Sequence, residues 1–272
     1  MAITHPRIHW GQREVDWTYV PEGTDELTAV ARRMFAEALG VLGFVFIAGA
    51  ALVTNGIAGG ELGLLGVAAA TGIAYALMVY MFHPISGGHI NPAVTLGEMF
   101  ARRMPPSIAG LYIVAQMGGA VLGALLLEVI FNDFVADASG AATLTFADEM
   151  TGWTGALFEG ILTFALVVAY FRAFVDRRVD PAVGAVVLGL IIGAALLVAF
   201  PLTGGALNLA RVFGTGLVAD EWAHFEWYAL GMLGGAAAGL LYEYVFRTPE
   251  VADSPGRDTD TEEARTTTSH AA

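Results

Sequence analysis

Five residues with strong hydrogen-bonding groups stand in or beside stretches too apolar to be solvated: Glu37, Asn91, Glu159, Asn208 and Arg211. A polar group in hydrocarbon is costly unless it is paired or faces a water-filled cavity, so each of the five requires a purpose. The two asparagines head short apolar runs, SGGHINPAVT from Ser86 to Thr95 and TGGALNLAR from Thr203 to Arg211. Asn91 is suited to cap a helix with Pro92 at its first position and Ala93 behind; Asn208, Leu209 and Ala210 repeat the pattern. Each cap follows directly on an apolar segment long enough to cross a bilayer. A helix that begins at membrane depth leaves its first N–H groups without intrahelical acceptors, which is tolerated only against protein or in a cavity. Two such starts predict a pore. The chemistry on offer is donation of hydrogen bonds to something that passes, not bond making. There is no Cys, and no metal-ligand cluster, nucleophile with an adjacent base or phosphate loop is legible.

The elements that must position these residues follow from composition. The 272 residues are 56% hydrophobic and only 14% charged, which excludes an ordinary soluble domain and points to one polytopic membrane domain. Apolar spans are predicted over 34–54, 62–82, 107–131, 152–174, 181–200 and 224–246, with half-length helices begun by Asn91 and Asn208. The domain is expected to run from 34 to 247, as one repeat over 34–131 and another over 152–247. A polar N-terminal tail (1–33, with Trp10, Trp17 and Tyr19) and an acidic, Thr-rich C-terminal tail (248–272), read as disordered, flank it. Arg32, Arg33, Arg102, Arg103, Arg172, Arg177, Arg178 and Arg247 all fall on one side of a six-span arrangement, so both termini are expected in the cytoplasm of a multi-pass cell-membrane protein. Thirteen basic against 26 acidic residues, with arginine throughout and no lysine, suggests a halophile, the alternative being a high-GC genome with acidic tails; no basic patch exists to meet nucleic acid.

The halves resemble each other. Glu37 in AEALGVLGFVF is echoed by Glu159 in FEGILTFALVV, and they precede Asn91 and Asn208 by 54 and 49 residues. Inverted repeats of this kind build midplane sites in many transport folds.

With SGGHINPAVTLG, its second copy GGALNLARVFG and these paired glutamates, the chain resembles the aquaporin, or major intrinsic protein, family, most nearly its prokaryotic water and glycerol channels, over about 35–246. The resemblance implies an all-α membrane fold with six transmembrane helices and two half-helices meeting at the midplane. It implies a passive channel, not an enzyme and without cofactor or metal, assembled as a homotetramer with one pore per subunit. It also implies that Glu37 and Glu159 accept hydrogen bonds from the irregular backbone of the pore loops, with His89 helping to orient the first. A proton-relay role for the glutamates and a pH-sensing role for His89 are the competing readings. Gln116 and His83 read as packing residues.

Arg211 matches the arginine of the family's outer constriction; the competing reading is an interfacial arginine extending toward water. Counting 20 residues back from Asn91, and 12 and three back from Asn208, gives the other constriction positions as Thr71, Leu196 and Gly205. Water and glycerol channels usually have an aromatic at the first, and water-selective ones a histidine at the second. Thr71, Leu196, Gly205 and Arg211 therefore predict a wider, more apolar opening without an aromatic wall, passing water and small uncharged solutes such as glycerol. Leu209 replaces the proline of the second box, leaving an extra N–H and weaker pre-organisation. The alternatives are a coupled secondary transporter or a non-conducting structural membrane protein.

Overall fold

The computed structural model describes residues 23–135, 137–175 and 179–246. Among these the chain is entirely helical outside its loops. The expectations for the tail up to residue 22, for Arg177 and Arg178, and for Arg247 with the tail beyond it lie outside the described residues.

The order is α1 (Glu26–Ile57), α2 (Gly63–Ser86), half-helix α3 (Pro92–Phe100), α4 (Pro106–Phe131), one-turn α5 (Ala138–Ala141), α6 (Gly152–Tyr170), α7 (Pro181–Thr203), half-helix α8 (Leu209–Ala219) and α9 (Phe225–Ala236). A short α10 (Ala238–Leu241) and a π-turn to Phe246 carry α9 on, and a similar turn, Phe171–Val175, extends α6. Six helical segments are long and apolar enough to cross a membrane, Gly63–Ser86 for example having 24 residues, about 36 Å at 1.5 Å each. At most half of each span's most apolar window is buried, so much of every helix is left to lipid.

The first helix begins at Glu26, two turns before the apolar run predicted from Met34. The local reason is a cap: Asp25 accepts from the backbone N–H of Thr28 (2.9 Å) and from its hydroxyl (2.8 Å), with Glu26 favourably placed in the first turn. The same bonds hold the Asp25 carboxyl below the usual carboxylate range.

The two halves repeat one arrangement. Helix α1 packs on α2 and α4, as α6 packs on α7 and α9, and α2 meets α7 across the join. Half-helix α3 lies against α4, α6 and α9; α8 lies against α1, α4 and α9; and the two half-helices touch each other. Close helix approach rests on small residues. A Cβ at Gly123 would stand 2.8 Å from the Leu42 carbonyl oxygen of α1, and one at Gly231 2.8 Å from that of Ala156 in α6. Gly119 and Gly123, Gly189 and Gly193, and Gly231, Gly235 and Gly239 are each spaced by four residues and meet other helices of the same chain. Gly119 is the tightest, its added Cβ overlapping the Ala38 carbonyl, whereas Gly118 meets nothing within 4 Å. Gly119→Leu is expected to abolish a monodisperse peak on detergent size-exclusion chromatography, while Gly118→Leu elutes as the parent does.

Candidate functional site: a pair of re-entrant loops

The loops that precede α3 and α8 are superimposable in chemistry. Gly87 and Gly88 have φ of 88° and 59°, Gly204 and Gly205 of 79° and 60°, so both chains reverse in the left-handed region glycine tolerates. Ile90 and Leu207, one residue before each asparagine, both have φ of 50°. A residue other than glycine in that region is strained by about 1–3 kcal/mol and persists only where its surroundings over-determine it.

The two glutamates supply that determination. Glu37 Oε1 accepts from the Ser86 hydroxyl (2.6 Å) and the His89 N–H (3.0 Å), and Oε2 from the Ile90 N–H (2.7 Å) and the Gln116 amide (2.8 Å). Glu159 Oε1 accepts from the Thr203 hydroxyl (2.6 Å) and the Ala206 N–H (3.0 Å), and Oε2 from the Leu207 N–H (3.0 Å). Each carboxyl therefore holds the strained residue of its own loop by the N–H. The strained carbonyls are held by the other loop: Asn91 Nδ2 donates to Leu207 O and Asn208 Nδ2 to Ile90 O, both at 2.8 Å. Each asparagine also caps its half-helix, Oδ1 accepting from Ala93 N–H (2.8 Å) or Ala210 N–H (3.0 Å). One hydrogen of each amide is spent on the crossed bond.

Leu209 does not prevent α8 from forming. Asn208 O accepts from both Arg211 N–H (3.1 Å) and Val212 N–H (3.4 Å), a tightened first turn where Pro92 pre-sets α3. His89 Nδ1 lies 3.0 Å from the Thr95 hydroxyl, which also receives the Gln116 amide, so the residue belongs to the network behind the first loop. His83 Nδ1 lies 2.9 Å from Gly87 O, and its ring stacks on Phe174.

Four tyrosines tie the loop carbonyls and escaped sequence reading. Tyr112 donates to Ser86 O and Tyr228 to Thr203 O, in equivalent places of the two halves; Tyr75 donates to His89 O and Tyr170 to Gly87 O. Single tyrosines in apolar helices carry no motif. The segment joining α5 to α6 was also missed. Leu144 and Phe146 are buried, Ala147 N–H donates to Leu202 O (2.8 Å), and Leu144 covers Gly204, where an added Cβ would come within 2.8 Å of its own. The alternation of Ala142, Leu144 and Phe146 was the available signal for an extended, half-buried stretch.

Of the four counted positions, Gly205 and Leu196 are neighbours, a Cβ at Gly205 reaching within 3.3 Å of the Leu196 Cα. Thr71 and Leu196 are 0% exposed and Arg211 1%. Helices α2 and α7 converge at Gly72 and Gly193, where a Cβ on the first would lie 3.2 Å from the second's backbone nitrogen. The Thr71 hydroxyl and both terminal nitrogens of Arg211 are buried with no hydrogen-bond partner in the protein. Five potential donors, the four guanidinium hydrogens and one hydroxyl, thus await a guest. Among the described residues no group of His, Asp or Glu is disposed to hold a metal.

This architecture recurs in known proteins. The model of the family described as Major intrinsic protein matches residues 26–242. Aquaporin TIP4-4 of Zea mays is 38% identical over 222 residues, covering 79% of this chain and 86% of the relative. Aquaporin-4 of Mus musculus is 37% identical over 178 residues, 64% of this chain and 54% of that one. The aquaglyceroporin of Plasmodium falciparum shares the fold with a TM-score of 0.69 at 20% identity, covering 80% of this chain and 97% of its own. The chain, with its paired re-entrant loops and inverted halves, therefore belongs to the major intrinsic protein family of membrane channels.

Proposed function

We propose that the protein conducts water and small uncharged solutes passively across the cell membrane, with glycerol near the upper limit of size, and excludes ions and protons. The observation that carries this reading is the pair of unpartnered buried donor groups, the Thr71 hydroxyl and the Arg211 fork, in a chain whose half-helix caps Asn91 and Asn208 each hold the other's loop. A water at the midplane accepts from both asparagines beside two helix N-termini, turns its hydrogens outward and interrupts the wire that protons need. Pro92, Ala93, Leu209 and Ala210 start the half-helices that aim these donors. Leu196 and Gly205 supply the apolar side of the constriction. Glu37, Glu159 and His89 act as scaffold. A coupled transporter needs titratable groups free to bind its ion, and both intramembrane glutamates are engaged with loop donors.

The same reading includes a homotetramer, favoured by the large apolar faces turned outward, and cytoplasmic termini, favoured by the one-sided arginines. The acidic, lysine-free composition favours a halophilic source.

Stopped-flow light scattering of proteoliposomes in high salt tests the function. Shrinkage against an impermeant osmolyte is expected to be at least about fivefold faster than in empty vesicles, an activation barrier lowered by about 1 kcal/mol. Glycerol-driven re-swelling is expected to be accelerated but slower than shrinkage, and indifferent to an imposed proton gradient. Shrinkage no faster than in empty vesicles would overturn the channel reading, and gradient-driven uptake would favour a transporter.

A further inference from the structure

Counting from the asparagines assigns no aromatic to the constriction, yet one lies under its arginine. Phe44 of α1 is fully buried, and the Arg211 guanidinium carbon stands over its ring, 5.9 Å from the centroid. The Tyr75 ring meets the same ring edge-on, at 5.1 Å and 80°. Tyr75 lies four residues after Thr71, one turn along the same face of α2. A ring that touches Tyr75 and lies beneath Arg211 therefore stands beside the guanidinium fork, about one turn of α2 from Thr71.

Resting on the channel reading above, we propose that Phe44 is a specificity-determining residue: it gauges the width of the constriction and seats Arg211. The seat has a chemical consequence. A guanidinium held by a ring face is attracted without spending a hydrogen bond, and both of its terminal nitrogens are indeed without partners. The fork stays available to a guest that brings acceptor oxygens, while the ring limits that guest's thickness. Small neutral molecules with oxygens along one edge fit this description, and thicker ones are refused by Phe44 rather than by Thr71.

The test uses full-length protein in proteoliposomes, comparing Phe44→Leu and Phe44→Ala with the parent, and reads the ratio of glycerol to water permeability. The ratio cancels the number of working channels, so partial loss of protein does not disturb it. Phe44→Leu is expected to raise the ratio about threefold and Phe44→Ala more. An unchanged ratio in both Phe44 variants, or proportionate loss of both fluxes in Phe44→Leu, would overturn the proposal. Parent protein without water flux would instead sink the channel reading itself.

Discussion

Glu37→Ala is expected to abolish water conduction and to lower the midpoint of thermal unfolding in detergent by on the order of 10 °C. The Ser86 hydroxyl has a second acceptor in Phe82 O, and the Gln116 amide has Thr95, so these two groups can be re-satisfied. The N–H groups of His89 and Ile90 have no such recourse, and each buried donor left unmade costs about 1–3 kcal/mol. The sum, about 2–6 kcal/mol, is a large part of ordinary protein stability of about 5–15 kcal/mol. The loss falls where Ile90 is already strained, so the left-handed turn relaxes. Its carbonyl then moves off Asn208, and the damage reaches the second half of the pore. Glu37→Gln keeps one acceptor oxygen but turns an NH2 toward other donors, and is expected to fall between. Glu159→Ala should behave as Glu37→Ala does, because Ala206 and Leu207 stand where His89 and Ile90 do. Parent-like flux and unfolding midpoint in Glu37→Ala would show that the crossed asparagine bonds hold the loops unaided.

That argument depends on a symmetry half visible in the sequence. Six apolar runs and two asparagine-headed boxes placed every long helix, because length and hydropathy are local properties of the chain. Helix ends were placed less well where their signals are polar: the Asp25 cap sits outside the apolar run, so α1 was begun at Met34 rather than Glu26. The acceptors for both re-entrant loops were legible because a carboxyl group within a membrane span has few uses. The constriction was only partly legible. Counting along the chain finds residues at fixed offsets from Asn91 and Asn208, but Phe44 arrives beneath Arg211 from another helix, just as Tyr170 reaches the first loop from the other half. Small residues at Gly72 and Gly193 let α2 and α7 come close beside Thr71, a contact that counting along the chain does not show.

Arg211→Ala is expected to leave water flux within about twofold of the parent while raising cation or proton leak at least about tenfold, read with a pH-sensitive dye trapped in the vesicles. Arg211 is 1% exposed, so an entering cation meets its charge with little solvent between them. At 4 Å and an effective dielectric constant of about 20, two like charges repel by about 4 kcal/mol, worth nearly a thousandfold in entry. The midplane asparagines and half-helix N-termini remain in the variant and continue to oppose cations, which is why the expected leak is well short of that ceiling. Arg211→Lys separates charge from shape. A lysine keeps the repulsion but presents a compact ammonium in place of a planar fork, so the leak should stay low while the glycerol-to-water ratio changes. If Arg211→Ala were as tight to cations as the parent, exclusion would reside wholly at the midplane and the arginine would serve only to select neutral guests.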